Sequence, residues 1–249
     1  MARITAIINQ KGGVGKTTTA AALADGLNRR DHKTLAVDAD AQGNLSFIMG
    51  TAPQQGVYEA LKGSPAAALI LATPQGDILP STPALMGADL EFTQTGREYL
   101  LRDALEPIAG QYSHIIIDCP PQLSILTINA LTAATDVIIP MGVDILSLQG
   151  MGQLYDTIST VKRYCNPQLH IAGLLITRYR KAVLSREMKD VIWDQARQIG
   201  TGLYASQIRE SISVKEAQLM QQSIYDFCPK ANPTADYKAF VEEYLKQEE

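Results

Sequence analysis

Near-continuous apolar runs at residues 3–9, 34–38, 76–80, 114–118, 136–140 and 170–176 alternate with longer stretches of helical character at 17–30, 97–109, 144–164, 186–198 and 235–246. A strand with one face in water alternates apolar and polar side chains. A run such as Ile115-Ile116-Ile117 is apolar on both faces, the pattern of a strand buried inside a parallel sheet. Such strands taken in turn with helices predict one α/β domain over residues 1–249, a mainly parallel twisted sheet covered by helices on both faces. Residues 51–75, rich in Ala, Pro and Gly, read as an irregular connection with a short helix around Tyr58-Glu59-Ala60-Leu61. No internal repeat, low-complexity linker or break in composition marks a second domain.

The connection between the first strand and the first helix carries the most chemistry. It reads Asn9-Gln10-Lys11-Gly12-Gly13-Val14-Gly15-Lys16-Thr17-Thr18. A Gly-rich turn between a strand and a helix N-terminus forms an anion site, because successive backbone N–H groups curl around phosphate oxygens and the helix dipole adds positive potential. Gly12, Gly13 and Gly15 permit a close backbone approach that a Cβ would forbid. Lys16 is placed to reach β- and γ-phosphates, and the Thr17 hydroxyl to ligate Mg²⁺. The segment 11–18 therefore predicts a P-loop NTPase that binds a nucleoside triphosphate with magnesium.

Two other strands end in acids. The run 34–37 leads into Asp38-Ala39-Asp40-Ala41-Gln42-Gly43-Asn44, and the run 114–117 into Asp118-Cys119-Pro120-Pro121. Carboxylates at the C-terminal ends of parallel strands lie beside the phosphate loop, where they hold Mg²⁺ or orient water. A single strand-end Asp is more often a turn former; three in a P-loop chain are candidates for the metal (Asp38, Asp118) and for the attacking water (Asp40).

Position 10 is Gln where an ordinary P-loop has Gly, and Lys11 adds a second lysine. The resulting Lys11-Gly12-Gly13-Val14-Gly15-Lys16-Thr17 resembles the deviant Walker A motif of the ParA/MinD family of ATPases. Asp38 to Asn44 resembles that family's switch I, with Asp40 in the position that aligns hydrolytic water. Asp118 to Pro121, followed by Leu126 to Leu131, resembles its Walker B and switch II. Ile139-Pro140 with Leu148-Gln149-Gly150 resembles part of the dimer face, and Leu174 to Thr177 the strand whose end approaches adenine. Residues 208–217 and 223–226 look like the C-terminal nucleotide- and DNA-facing segment. The resemblance covers roughly residues 2–245 and is closest to the ParA/Soj partitioning ATPases.

It implies ATP and Mg²⁺ as ligands, with Lys11, Lys16 and Asp40 in catalysis. Residues 11–18 with Thr177 and Arg178 would hold the nucleotide, and Thr17, Asp38 and Asp118 the metal. It further implies an ATP-dependent homodimer in which Lys11 reaches the partner's nucleotide, nonspecific binding of double-stranded DNA, and hydrolysis stimulated by a ParB-like protein or a cargo adaptor. The protein would be cytoplasmic and nucleoid-associated when ATP-bound. Three features depart from the family: Ala41 stands in place of Pro, Arg209-Glu210 in place of a Pro-Arg pair, and Gln222 near an expected Gly.

Composition qualifies these expectations. The net charge of −4 does not favour nucleic acid. Local basic residues do: Arg178, Arg180, Lys181 and Arg186, with Arg209 and Lys215 further on, form a candidate DNA patch that dimerisation would double. No run is apolar and long enough to cross a bilayer. The last turns carry Glu242, Glu243, Glu248 and Glu249, unlike a basic membrane-anchoring helix. A MinD-like membrane ATPase is thus the weaker alternative, and no membrane partner is expected. The chain starts at its first strand, so no preceding helix-turn-helix is expected to read an operator. Cys119, Cys165 and Cys228 lack metal-ligand spacing and read as reduced thiols, which also sets aside a cluster-bearing iron protein. A small-molecule synthetase and a non-hydrolysing scaffold remain as other classes. His32, His114 and His170 read as surface or strand-edge residues.

Overall fold

The computed structural model describes residues 2–144, 150–181 and 183–247, the last stretch with side chains from 187 onward. Its strands are β1 (Arg3–Ile7), β2 (Thr34–Asp38), β3 (Leu71–Thr73), β4 (Gly76–Leu79), β5 (His114–Asp118), β6 (Asp136–Met141), β7 (His170–Tyr179) and β8 (Leu203–Arg209). The α-helices are α1 (Lys16–Asn28), α2 (Asn44–Ile48), α3 (Val57–Leu61), α4 (Ala88–Glu91), α5 (Leu100–Ala109), α6 (Ile125–Ala133), α7 (Met151–Tyr164), α8 (Val183–Gln198), α9 (Ile212–Leu219), α10 (Ile224–Phe227) and α11 (Asn232–Lys246). The sheet runs in the order β3-β4-β2-β5-β1-β6-β7-β8. Every pairing is parallel except the β3–β4 hairpin.

Strand alternation divides the apolar side chains between two cores. Ala6, Leu35, Val37, Ile115 and Ile117 face α3, α5, α6, α7 and α8. Ile7, Ala36, Ile116 and Ile138 face α1, α2 and α11. Leu101, Leu105 and Ile108 give α5 an apolar stripe at the spacing of successive helical turns, and Met151, Leu154, Ile158 and Val161 do the same for α7. The mainly parallel, two-faced α/β domain is as expected.

Four expectations change. β3 and β8 lie outside the expected strands. Two of the three β3 residues are exposed, so its alternation is lost, and the turn at Thr73–Gly76 builds the hairpin instead. β8 is an edge strand with only Tyr204 and Ile208 buried, and its pairing with β7 shifts register. The helix expected over 144–164 is described from Met151, because 145–149, including Leu148 and Gln149, lie outside the described residues. His114 is buried rather than at the surface, with its ring centroid 5.3 Å from that of His32 and 5.7 Å from that of Tyr244.

The C-terminal helix is part of the core. Tyr237, Phe240, Val241 and Tyr244 of α11 are buried, and the Tyr237 hydroxyl lies 3.1 Å from that of Thr19 on α1. Its apolar face is therefore committed to the sheet, and an amphipathic anchor would require undocking it. No described helix is long and apolar enough to cross a membrane.

Gly26 shows how closely α1 is held. A Cβ there would stand 2.7 Å from both the Tyr225 hydroxyl and a Val241 methyl. Tyr225 cannot easily yield, since its hydroxyl donates to Ala22 O at 2.9 Å. Alanine at an exposed helical glycine stabilises by up to about 1 kcal/mol, whereas forcing a methyl into a filled core costs roughly 1–3 kcal/mol. Gly26→Ala is therefore expected to lower the denaturation midpoint. A rise in thermal or urea denaturation would refute the packing argument.

Candidate functional site

The phosphate loop leaves β1 and enters α1 with Gly13 at φ 72° and Gly15 at φ 89°, values that favour glycine. Asn9 braces its start: its amide donates to Pro140 O at 2.8 Å, and its side-chain oxygen accepts from Lys11 N at 2.9 Å. On the far side, the Thr177 hydroxyl donates to Val14 O at 2.6 Å. Lys16, the first residue of α1, is buried, and its ammonium donates to Lys11 O at 3.3 Å. Burial pushes its pKa down, while Asp118, Cys119 and Asp40 oppose the shift. Lys11 turns the other way and pairs with Asp144 of the same chain at 2.6 Å.

The three acids meet beneath this loop but differ in their surroundings. β2 and β5 pair in register, so Asp38 and Asp118 are direct neighbours at adjacent strand ends. Asp38 is enclosed: one oxygen accepts from both Ser46 N and Ser46 Oγ at 2.7 Å, the other from Asp40 N at 3.3 Å. Burial nevertheless pushes its pKa up to about 6. Asp118 is fully buried, and among the described residues neither of its oxygens has a well-formed hydrogen bond. Thr17 faces it and tempers its proton affinity, but burial first, and Asp38 second, hold its pKa well above the carboxylate range. Asp40 lines the cleft, and one of its oxygens accepts from Gln42 N at 3.0 Å.

A buried carboxyl with unpaired oxygens, next to a threonine hydroxyl and a lysine, fits a hard cation and its waters. Magnesium keeps much of its water and takes one or two carboxylates plus phosphate. Among the described residues there is no cluster of three acidic, histidine or cysteine ligands, so Thr17 and Asp118 would need oxygens from a ligand to complete the shell. Asp38, engaged by Ser46, would act through Asp118 or water rather than by direct ligation. Burial drives the neighbouring Cys119 thiol upward, as suits a packing residue.

A cleft of about 720 Å³ runs from this cluster between α2 and the β8–α9 turn. Gly12, Gly13, Gly15, Lys16, Thr17, Thr18, Asp40, Thr177, Arg178, Arg209 and Lys215 all line it, so the structure brings together most of the expected nucleotide residues. Lys11 lines an adjoining hollow of about 300 Å³ with Asp144. Lys181 is exposed at the end of β7, and the Arg186 side chain lies outside the described residues. The basic patch is not simply a set of free cations. Arg178 and Arg180 both pair with Glu210, and Arg209 pairs with Asp236.

Ser46, Asp144, Glu210 and Gln218 were not singled out from the sequence. Gln218 donates to the Thr18 hydroxyl at 2.8 Å, linking α9 to the start of α1. Only Glu210 carried a signal, as an acid where the family resemblance expects a base.

The acid pair sets a pH dependence. With both pKa values raised in the folded chain, Asp38 and Asp118 hold protons there that an unfolded chain has released above pH ~4. Stability must therefore fall as pH rises from about 4 through the Asp38 value near 6 and beyond. In chelator without nucleotide, Asp118→Asn is expected to raise the melting temperature at pH 7.5 and flatten this fall. Each kcal/mol gained corresponds to about 2–4 °C in melting temperature for a chain of this size. A variant less stable than the parent at pH 7.5 would contradict the reading of Asp118 as an uncompensated buried acid.

Comparison with known proteins agrees with this geometry. A family model described as an AAA domain matches residues 2–171. The chain is 37% identical to the chromosome partitioning protein ParA of Caulobacter vibrioides over 99% of its own length and 95% of that protein's. It is 35% identical to the chromosome-partitioning ATPase Soj of Thermus thermophilus, covering 96% and 94% of the two chains. Among solved structures, a cobyrinic acid a,c-diamide synthase from Mycobacterium smegmatis with bound ATP analogue and magnesium superimposes with a TM-score of 0.86 at 35% identity, covering 99% and 96% of the two chains. Matched by the family model over residues 2–171 and at 35–37% identity to relatives covered over nearly their whole length, the chain belongs to the ParA/Soj family of chromosome-partitioning ATPases.

Proposed function

We propose that the chain is an ATP-driven partitioning ATPase that closes into a dimer on ATP, binds DNA without sequence preference in that state, and reopens on hydrolysis stimulated by a ParB-like partner. The observation that carries the nucleotide reading is Asp118, a buried carboxyl whose oxygens no well-formed hydrogen bond satisfies among the described residues, set beside Thr17 and Lys16 at the mouth of a phosphate loop. Buried charge is retained where a ligand of opposite charge completes the site. The likeness to proteins named for chromosome partitioning supports the cellular role.

Lys16 and the backbone N–H groups from Gly12 to Thr18 bind the triphosphate and neutralise its oxygens. Magnesium, when bound by the Thr17 hydroxyl and, directly or through water, by Asp118, supplies further charge neutralisation on the transferred phosphoryl group. Asp40 orients a water for in-line attack on the γ-phosphate, where positioning and electrostatics do most of the work. Lys11 leaves Asp144 and crosses to the nucleotide of the facing subunit. Nonspecific DNA affinity then comes from two basic patches presented together, and the protein so loaded is nucleoid-associated. The alternative of a MinD-like membrane ATPase is disfavoured, because the apolar face of α11 is already buried.

Two outcomes test this. Lys16→Ala should lose ATP binding by calorimetry, whereas Asp40→Ala should keep binding and lose nearly all phosphate release. Wild-type turnover by Asp40→Ala would remove its role. Separately, Lys11→Ala should bind Mg·ATP yet remain monomeric in sedimentation under conditions where the parent dimerises. A variant that dimerises normally would return Lys11 to a local ion pair with Asp144.

A further inference from the structure

The end of β8 places an acid in the middle of the basic patch. Glu210 donates its backbone N–H to Tyr179 O at 3.2 Å, which ties the ends of β7 and β8 together. Its carboxylate then sits between Arg178 and Arg180, bonded to both. One oxygen accepts from Arg178 Nη2 at 3.0 Å, and the other from Arg180 Nε. Arg178 adopts a left-handed backbone at φ 52°, uncommon for a residue with a Cβ, and its Nη1 reaches Gly13 O of the phosphate loop at 3.1 Å. Arg209, the next residue back, is held by Asp236 through Nε at 2.9 Å. Within this set and among the described residues, only Lys181 and Lys215 carry no ion pair.

We propose that Glu210 is an electrostatic latch on the DNA-facing patch, holding Arg178 and Arg180 against the shoulder of the phosphate loop and withholding both guanidinium groups from the duplex backbone. This rests on the reading of the chain as a nonspecific DNA binder. A polyanion must compete with Glu210 for each arginine, so the patch presents less charge than its residue types suggest. The competition is winnable: the Arg178 and Arg180 side chains are 55% and 78% exposed, and ion pairs in that setting are weak. The latch also touches the nucleotide site, because Arg178 is bonded to the loop carbonyl and to Glu210 at once. A phosphate arriving at the loop draws on the same guanidinium and leaves Glu210 with Arg180.

The test is fluorescence anisotropy with two unrelated labelled duplexes, in Mg·ATP, at salt concentrations from 50 to 200 mM. Glu210→Gln keeps the shape and removes the charge. Glu106→Gln, on the exposed side of α5, makes the same change in net charge away from the patch. Each phosphate contact adds about 0.9 to the slope of log affinity against log salt. Glu210→Gln is therefore expected to bind both duplexes about 3- to 30-fold more tightly at low salt, with a slope steeper by roughly 1 to 2, while Glu106→Gln follows the parent. In an Arg180→Ala background the gain should shrink to about half. Glu210→Asp, too short to span both arginines, should give a smaller gain in the same direction and serves if the Gln variant folds poorly. If the parent binds DNA and Glu210→Gln matches it in affinity and slope, the latch is overturned and DNA binding stands. If neither binds either duplex although both dimerise with ATP, the DNA reading itself fails and the latch falls with it.

Discussion

Two carboxylates forced side by side at the ends of adjacent strands are the constraint on which the site depends. The parallel register of β2 and β5 makes Asp38 and Asp118 neighbours, and the sheet buries both. Like charges in a dry setting cannot both ionise without compensation. Ser46 supplies it for Asp38 through two hydrogen bonds from one residue. Lys16 supplies part of it for Asp118, and Asp118 in turn opposes the loss of proton affinity that burial imposes on Lys16. What is left over is an electrostatic demand for a cation, facing a loop whose N–H groups demand an anion. A metal–triphosphate complex meets both demands together, and either half alone meets only one.

The same principle extends outward from the acids. Four cations around the loop are paired within the chain: Lys11 with Asp144, Arg178 and Arg180 with Glu210, Arg209 with Asp236. These pairs sit near the surface and are individually weak. A nucleotide or a second polyanion can therefore redistribute them without unfolding anything. The rigid part lies elsewhere, in the packing of α1 against α10 and α11, where Gly26 leaves no room for a methyl group. A stiff first helix keeps the phosphate loop in place while the pairs around it exchange.

Much of the domain was legible in the sequence because its central strands are apolar on both faces. β1, β2, β5 and β6 fall where the runs predicted, and the loop at 11–18 with Asp40 and Asp118 announced the site through residue type and spacing. The edges were harder to read. β3 is too short and exposed to alternate, and β8 buries only Tyr204 and Ile208. His114 was misread because a polar residue opening a strand looks like an edge, although Tyr244 from the C-terminal helix covers it.

The sequence by itself determined the local chemistry: glycines that permit left-handed turns, a lysine and a threonine at a helix start, acids at strand ends. These depend on a few consecutive residues, so they survive without knowledge of the fold. Only the tertiary structure decided how each group is compensated. Asp38 is answered by Ser46 from the following helix, Lys11 by Asp144 from the end of β6, and Arg178 and Arg180 by Glu210, some thirty residues away in sequence. Partners distant along the chain are chosen by sheet order, and charge is the one property of a side chain whose effect depends entirely on what else is close.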